Sequence, residues 1–242
     1  MEWGTFTFTH IATLILAALI LAALYFALRR ASQKVQIAVL GVLSFSGIGA
    51  IIYNLLAWGD PLAYLPLHLC SINAMILPVV VFTRNKTLGN LLLVWCLGAL
   101  AALVLNYEMT ETELFGAAFN IYYFPHIMEF GIPLLMVKLG LVKKDPKCIG
   151  STMAISMGIY TAVHFLNLLI NSYCIASGID YRANYMFSIE PINPLVQLFY
   201  SIIPYRYWYM YLVLPIVFVY LVIVYAPELI RSFKNKKAAM AK

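Results

Sequence analysis

The chain has 242 residues, of which 63% are hydrophobic and only 11% are charged, and its mean hydropathy is +0.87. Soluble globular domains carry about a quarter charged residues, so this composition excludes them and predicts an integral membrane protein. The formal net charge of +6 does not indicate a nucleic-acid partner, because the basic residues stand singly or in short clusters at the edges of apolar runs.

Seven apolar stretches are long enough to cross the roughly 30 Å hydrocarbon core of a bilayer as helices. They lie near residues 11–28, 35–57, 65–82, 88–105, 119–137, 149–171 and 207–226. An eighth stretch, 192–204, is too short to cross and is bracketed by prolines, which is typical of a re-entrant or interfacial segment. The sequence therefore predicts an all-α membrane protein, a bundle of seven transmembrane helices that forms a single transmembrane domain over residues 1–242.

The distribution of charge predicts the orientation of this bundle. All Lys and Arg residues except Arg182 and Arg206 follow the first, third, fifth or seventh span, whereas the remaining loops carry acidic residues such as Glu111 and Glu113. Cytoplasmic loops of membrane proteins are enriched in Lys and Arg. The amino terminus is therefore predicted to be outside the membrane and the carboxyl terminus inside.

The third span opens with Pro66-Leu67-His68-Leu69-Cys70-Ser71-Ile72-Asn73, which brings several polar side chains to membrane depth. Such side chains are costly in lipid, and their presence indicates a function. Pro66 predicts the start of the helix, so Cys70 is expected near its positive end, where a thiolate is stabilised. The thiolate is the nucleophilic form of cysteine, and a neighbouring base favours its formation.

Four other residues are candidates to assist Cys70. His126, on the fifth span, enters from the same side to a similar depth and is the predicted base, with a ring nitrogen expected within about 5 Å of the sulfur. Glu129 lies one turn deeper and is predicted to orient the imidazole, while Asn73 shares the helix face of Cys70 at i+3. His68 is two residues away, about 200° around a continuous helix, so it is expected to point away from the thiol unless the helix begins later.

In the chemistry that these residues predict, the imidazole takes the thiol proton, the sulfur attacks an acyl ester, and a thioester forms. Asn73, or a backbone N–H near the start of the helix, would stabilise the oxyanion. Simpler interpretations stay open at this point: Cys70 as a packing residue, His126 as a hydrogen-bonding group between helices, and Glu129 as the partner of His164 or of a tyrosine.

A second group of polar residues lies in the sixth span and the loop after it. His164, Asn167 and Asn171 fall at i, i+3 and i+7, which places them on one helix face. This face suits either hydrogen bonds between helices or contacts to a substrate, the latter together with Asn184 and Tyr185 of the following loop. The four cysteines show no CxxC spacing, so neither a zinc site nor a disulfide framework is predicted, and no metal or cofactor is expected.

Several of these motifs together resemble a known family. They are Leu65-Pro66-Leu67-His68-Leu69-Cys70, a single histidine in the fifth span, Asn184-Tyr185-Met186-Phe187 followed by Glu190-Pro191, and a later Pro204 before Trp208-Tyr209. The pattern looks like that of the bacterial YwaF-like integral membrane proteins, which are grouped with an animal multi-spanning protein that acylates lysophospholipids through a membrane-embedded cysteine. More distantly it resembles the androgen-induced membrane hydrolases of lipid esters.

The resemblance implies that Cys70 is the family cysteine and His126 the family histidine, in a protein of the bacterial plasma membrane. The predicted function is acyl transfer or ester hydrolysis on a phospholipid or lysophospholipid at the outer leaflet, with membrane lipids as the partners. Two alternatives stay open: a non-enzymatic protein that binds or transports a lipid or small ligand in an outward-facing pocket, and a structural partner in the membrane. Transport is disfavoured because the halves of the chain show no repeat.

Overall fold

The computed structural model describes residues 1–57, 61–106 and 109–240, the last range with side chains as far as Arg231. This part of the chain is helical, without a named strand. Its α-helices are α1 (Phe8–Leu28), α2 (Gln33–Ser44), α3 (Ser46–Ala57), α4 (Leu69–Thr83), α5 (Lys86–Leu105), α6 (Ala117–Lys138), α7 (Ile149–Ser177), α8 (Pro194–Ile202) and α9 (Val213–Met240). Short 3₁₀ turns occur at Pro146–Cys148, Tyr185–Phe187 and Trp208–Leu212.

Five helical segments of the described chain are long and apolar enough to cross a membrane, which confirms the membrane-protein class. They are Phe8–Leu28, Gln33–Ala57, Lys86–Leu105, Pro146–Ser177 and Trp208–Arg231. The other two predicted spans correspond to α4, which has only 15 residues, and α6, which has 22. Helix α6 is long enough, but Asn120, His126 and Glu129 lower its hydropathy. The number of seven spans therefore stays a prediction. Helices α4 and α6, which are not among these five segments, carry Cys70, His126 and Glu129.

The third predicted span was wrong at its start. Helix α4 begins at Leu69, and His68 is its N-cap in an extended conformation, with φ −73° and ψ 153°. The backbone N–H of Leu67 donates to the carbonyl of Leu65 at 2.7 Å, so Pro66 is the central residue of a γ-turn. Pro66 thus directs the chain into the helix without being part of it.

Two other predicted boundaries also differ from the structure. The second span is interrupted at Phe45, which separates α2 from α3. The sixth span continues to Ser177, and Gly178 ends the helix in the left-handed conformation at φ 66°.

The short segment 192–204 contains α8, which has nine residues and begins with Pro194. The Asn193 side chain accepts from the N–H of Val196 at 2.9 Å. The length of α8 agrees with a segment too short to cross, and its re-entrant or interfacial position stays a prediction.

The described chain divides into two compact units, Met1–Val142 and Lys143–Lys242, and the single domain expected from the sequence stays a prediction. In the first unit, α6 is the central helix and packs against α1, α2, α3, α4 and α5. In the second unit, α7 packs against the turn Tyr185–Phe187 and the turn Pro146–Cys148 packs against α9. The candidate site belongs to the first unit, around its central helix.

The amino-terminal segment is part of the core of the first unit. Trp3 is fully buried, and its backbone N–H donates to the carbonyl of Thr112 at 2.9 Å. His10, also fully buried, accepts from the N–H of Phe6 at Nδ1, so its Nε2 donates to the carbonyl of Leu103 at 2.9 Å. His10 is therefore a hydrogen-bonded structural residue that ties α1 to α5.

Candidate functional site

Cys70 is the second residue of α4, closer to the helix start than the sequence predicted. The backbone N–H groups of the first turn of a helix have no partner within the helix, and they form its positive end. The thiol is partly buried and not disulfide-bonded. Cys70 therefore lies at the positive end of α4.

His126 lies in the middle of α6, directly after Pro125, which lacks a backbone N–H. The Nδ1 atom is 2.6 Å from the carbonyl oxygen of Tyr122, one turn earlier. Because a carbonyl can only accept, Nδ1 carries the proton and Nε2 has the free lone pair. The ring also lies against that of Tyr122, at 4.3 Å between centroids, and the Tyr122 hydroxyl donates to the carbonyl of Ala102 on α5 at 3.0 Å.

The imidazole is therefore oriented by the backbone of its own helix, a role that the sequence assigned to Glu129. Glu129 is 3% exposed, and its Oε2 has no hydrogen-bond partner among the described residues. A Cβ atom on Gly47 of α3 would lie 3.0 Å from Glu129 Oε1 and 2.5 Å from the Cβ of Ala74 on α4. The absence of a side chain at Gly47 thus lets α3 and α4 close around the carboxylate.

Cys70, His126 and Glu129 lie together. The cysteine sulfur, a ring nitrogen and a carboxylate oxygen are all within 4.8 Å of one another, which agrees with the separation of about 5 Å expected for the first two. The three are a nucleophile, a base and an acid, and they are also three types of metal ligand. The catalytic role of the pair stays a prediction.

These three side chains line one cavity of about 390 Å³ in the first unit. Its wall comes from α3, α4 and α6 together with Tyr64 and Met109, and it is mostly apolar, with Tyr53 and Asn54 among its polar residues. Pockets that bind small ligands have volumes of roughly 300–1,000 Å³ and a mainly apolar lining with a few placed polar groups. The volume and the lining of this cavity agree with those of a small-ligand pocket.

His68 and Asn73 are not among the residues that line this cavity in the described chain. The reason given for turning His68 away, rotation along a helix, was wrong, because His68 precedes the helix. Asn73 is 1% exposed, and neither atom of its amide has a hydrogen-bond partner among the residues that the structure describes. Because Asn73 does not line the cavity, the backbone N–H groups at the start of α4 stay as the other oxyanion donors that the sequence predicts.

The other four predicted site residues, His164, Asn167, Asn184 and Tyr185, lie in the second unit. The Asn167 side chain donates to the carbonyl of Tyr185 at 2.8 Å and to the hydroxyl of Ser188 at 2.9 Å, and it accepts from the N–H of Tyr185 at 3.0 Å. His164 Nδ1 is 3.0 Å from the same hydroxyl. This face of α7 therefore binds a loop of its own unit.

Asn184 completes this network from within the loop, since its Oδ1 accepts from the N–H groups of Ile189 and Glu190, each at 3.0 Å. A cavity of about 490 Å³ in the same unit is lined by Arg182 and Arg206, and none of the four predicted residues lines it. Their role in substrate binding stays a prediction.

The sequence reasoning missed two residues of the site. Tyr122 supplies the carbonyl that orients His126, and Gly47 makes room for Glu129. The spacing between Tyr122 and His126 indicated Tyr122, because residues four apart are neighbours on a helix. Gly47 lies in Ser46-Gly47-Ile48-Gly49, in which three of the four residues are small, and small residues are typical of closely packed membrane helices.

Comparison with known proteins gives one family match. A sequence model of a protein family, described as the TMEM164 family, matches residues 5–225 and so includes every candidate site residue. No curated protein and no solved structure matches the chain.

Proposed function

Since the chain belongs to the TMEM164 family of membrane proteins, we propose that it is a membrane-embedded acyltransferase or lipid ester hydrolase that acts on a phospholipid or lysophospholipid. The observation that carries the proposal is the group formed by Cys70, His126 and Glu129, with one polar atom from each within 4.8 Å of the others and all three lining one cavity. The resemblance to YwaF-like proteins and to a cysteine-dependent lysophospholipid acyltransferase supplies the reaction class.

In the proposed reaction, Nε2 of His126 takes the thiol proton while the Cys70 sulfur attacks the carbonyl carbon of a lipid ester. Backbone N–H groups at the start of α4 stabilise the oxyanion. The carbon–oxygen bond then breaks, the alcohol leaves with the proton from His126, and the acyl group remains on sulfur as a thioester. The hydroxyl of a lysolipid, or water, gives its proton to His126 and attacks the thioester, and the thiolate leaves.

The proposal includes seven spans, an amino terminus outside, a carboxyl terminus inside and a site at the outer leaflet of a bacterial plasma membrane. Charge on alternate loops supports this orientation. The short length of α4 and the polar residues of α6 suit helices that line a site inside a bundle, because polar groups at membrane depth face the bundle interior. His164, Asn167, Asn184 and Tyr185 are proposed to contribute to substrate binding through the loop that they hold.

The experiment is intact-protein mass measurement after the purified protein has been exposed to phospholipid. We expect an acyl adduct that hydroxylamine removes, located on Cys70 by peptide mapping. Cys70→Ser should lack the labile adduct and keep its elution profile in detergent. Cys96→Ser is the matched control, since Cys96 is fully buried in α5 and does not line the cavity. No adduct on the wild-type protein, or a labile adduct that persists in Cys70→Ser, would contradict the proposal.

The second candidate function is non-enzymatic binding of a lipid or small ligand. The size and mainly apolar lining of the cavity favour it independently of any chemistry. The two functions differ in one measurement: a binder keeps its lipid and its function in Cys70→Ser, whereas an enzyme keeps its lipid and loses turnover.

A further inference from the structure

The three reactive side chains of the cavity are also the ligand set of a thiophilic metal ion. Thiolate, imidazole and carboxylate are the groups that bind Zn²⁺ in proteins. The spacing of cysteines along the chain gave no sign of such a site, because one ligand comes from α4 and the other two come from α6. Only the packing of the two helices brings the three ligand atoms within 4.8 Å of one another.

The distances between the ligand atoms suit a metal after a small adjustment. Ligand atoms about 2.0–2.3 Å from a tetrahedral Zn²⁺ stand roughly 3.5 Å apart. The atoms of Cys70, His126 and Glu129 therefore need to converge by about 1 Å, which small rotations about side-chain torsions supply. The cavity of about 390 Å³ leaves room for a water molecule as the fourth ligand.

The surroundings of two ligands support the same conclusion. A metal-binding histidine usually donates its other ring N–H to a carbonyl or carboxylate, which sets the tautomer, and His126 Nδ1 has such a contact with the carbonyl of Tyr122 at 2.6 Å. Glu129 is 3% exposed, and its Oε2 has no hydrogen-bond partner in the described chain. A buried carboxylate oxygen without a partner is costly, and a cation would supply the partner.

We propose that Cys70, His126 and Glu129 bind a thiophilic divalent cation of the Zn²⁺ type, and that the bound cation inhibits acyl transfer. Binding replaces the thiol proton with a sulfur–metal bond and releases that proton to solvent. The sulfur and the lone pair of Nε2 are then both ligands, so neither can act on an ester. The inhibitory part rests on the proposed function, whereas the cation site does not.

The chemistry of the ligands selects the class of cation. Ca²⁺ and Mg²⁺ bind oxygen ligands in higher coordination numbers, so a site with one sulfur, one nitrogen and one carboxylate does not suit them. Co²⁺ adopts the geometry of Zn²⁺ in tetrahedral sites and absorbs light when a thiolate is a ligand, which makes it the probe for this site.

The test is titration of the full-length protein in detergent with Co²⁺. We expect one Co²⁺ per chain, a sulfur-to-cobalt charge-transfer band in the near ultraviolet, and loss of the band when Zn²⁺ is added. Cys70→Ser should lose the band. Glu129→Gln removes a direct ligand and should weaken binding at least as much as the loss of a supporting residue does, which is about 10–100-fold. Cys96→Ala should keep the charge-transfer band and the affinity for Co²⁺, because the Cys96 thiol is outside the cavity.

Protection from alkylation gives the same information on the unmodified chain, so the result does not depend on the folding of a variant. Zn²⁺ should slow alkylation of Cys70 in the wild-type protein, and a chelator should reverse the effect. The absence of a charge-transfer band in the wild-type protein, a band that survives in Cys70→Ser, or alkylation of Cys70 unaffected by Zn²⁺ would each overturn the cation site.

Inhibition is measured separately, as formation of the acyl adduct with and without Zn²⁺. Loss of the adduct with Zn²⁺ and its return with chelator supports the inhibitory part, and an adduct that forms equally well with Zn²⁺ bound overturns it. A metal-free protein that forms no adduct contradicts the proposed function and the inhibition with it. The cobalt spectrum decides the cation site in either case.

Discussion

At the scale of single residues, the orientation of His126 depends on its own helix. The carbonyl of Tyr122 accepts from Nδ1 and leaves Nε2 as the nitrogen that can accept a proton. A third side chain is therefore not needed to set the tautomer, in contrast to triads in which a carboxylate does so. Under the proposed function, Glu129 acts through its charge by stabilising the imidazolium ion, and under the proposed cation site it binds the cation.

Replacing Glu129 with glutamine removes the charge of the side chain and keeps its shape. We expect Glu129→Gln to lower the rate of Cys70 acylation by about tenfold, because the amide keeps the shape and part of the hydrogen bonding but does not stabilise an imidazolium ion. The measurement is the time course of adduct formation by mass. A Glu129→Leu protein with wild-type activity and higher stability would show that the carboxylate has no role in the reaction.

Removing the base has a different effect on pH dependence. We expect His126→Gln to slow acylation by about 10²–10⁴-fold near neutral pH. Because the thiol then ionises without assistance, the rate in the variant should rise with pH as the fraction of thiolate rises. Initial rates of adduct formation across the pH range test this, and a rate unchanged from the wild-type protein would remove His126 from the reaction.

At the scale of elements, the site depends on how closely α3 approaches α4 and α6. Gly47 makes this approach possible, since a Cβ there would lie 2.5 Å from the Cβ of Ala74, well inside contact distance. A Cβ on Gly49, on the same helix, would have no atom within 4 Å among the described residues, apart from its chain neighbours and the backbone of its own helix. The two glycines therefore form a matched pair with different surroundings.

We expect Gly47→Ala to destabilise the first unit by about 1–3 kcal/mol through overpacking and to slow acylation, because α3 must move away from Glu129. Gly49→Ala should be neutral or slightly stabilising, since alanine favours a helix more than glycine does. Thermal unfolding in detergent and the rate of adduct formation measure the two effects. Equal behaviour of the two variants would show that the close approach at Gly47 is not required.

At the scale of the whole molecule, the direction of insertion decides which leaflet the cavity faces. The charge distribution predicts that the loop containing Glu111 lies outside and that the loop after α6 lies inside. Both loops offer exposed positions, Glu111 and Lys147. Lys144 is less suitable for labelling, because it forms an ion pair with Glu228 at 3.1 Å and donates to the carbonyl of Val224 at 2.7 Å.

Labelling in intact cells tests this orientation. In a Cys70→Ser background, where the remaining native cysteines are buried, we expect Glu111→Cys to react with a membrane-impermeant thiol reagent and Lys147→Cys to react only after permeabilisation. The permeabilised sample is the control for reactivity. Labelling of Lys147→Cys alone in intact cells would invert the orientation and place the site on the cytoplasmic side.

Much of the site follows from the sequence, because Cys70, His126 and Glu129 are polar residues in apolar runs and their depth can be counted along a helix. Counting residues gives the wrong depth and rotation when a helix begins at a different residue from the predicted one. Pro66 predicted the start of α4 three residues too early, so rotation along a helix does not explain why His68 fails to line the cavity. Asn73 shares the helix face expected for it, yet it does not line the cavity.

The amino-acid sequence by itself determined that this is a helical membrane protein and where its apolar helices lie, because hydrophobic length and the cost of polar groups in lipid act locally along the chain. Only the tertiary structure decided which polar atoms meet. The approach of the Cys70, His126 and Glu129 atoms to within 4.8 Å of one another and the space beside Gly47 depend on side-chain geometry and on the packing of α3, α4 and α6. Packing joins residues that are distant in the sequence, so no spacing along one helix contains that information.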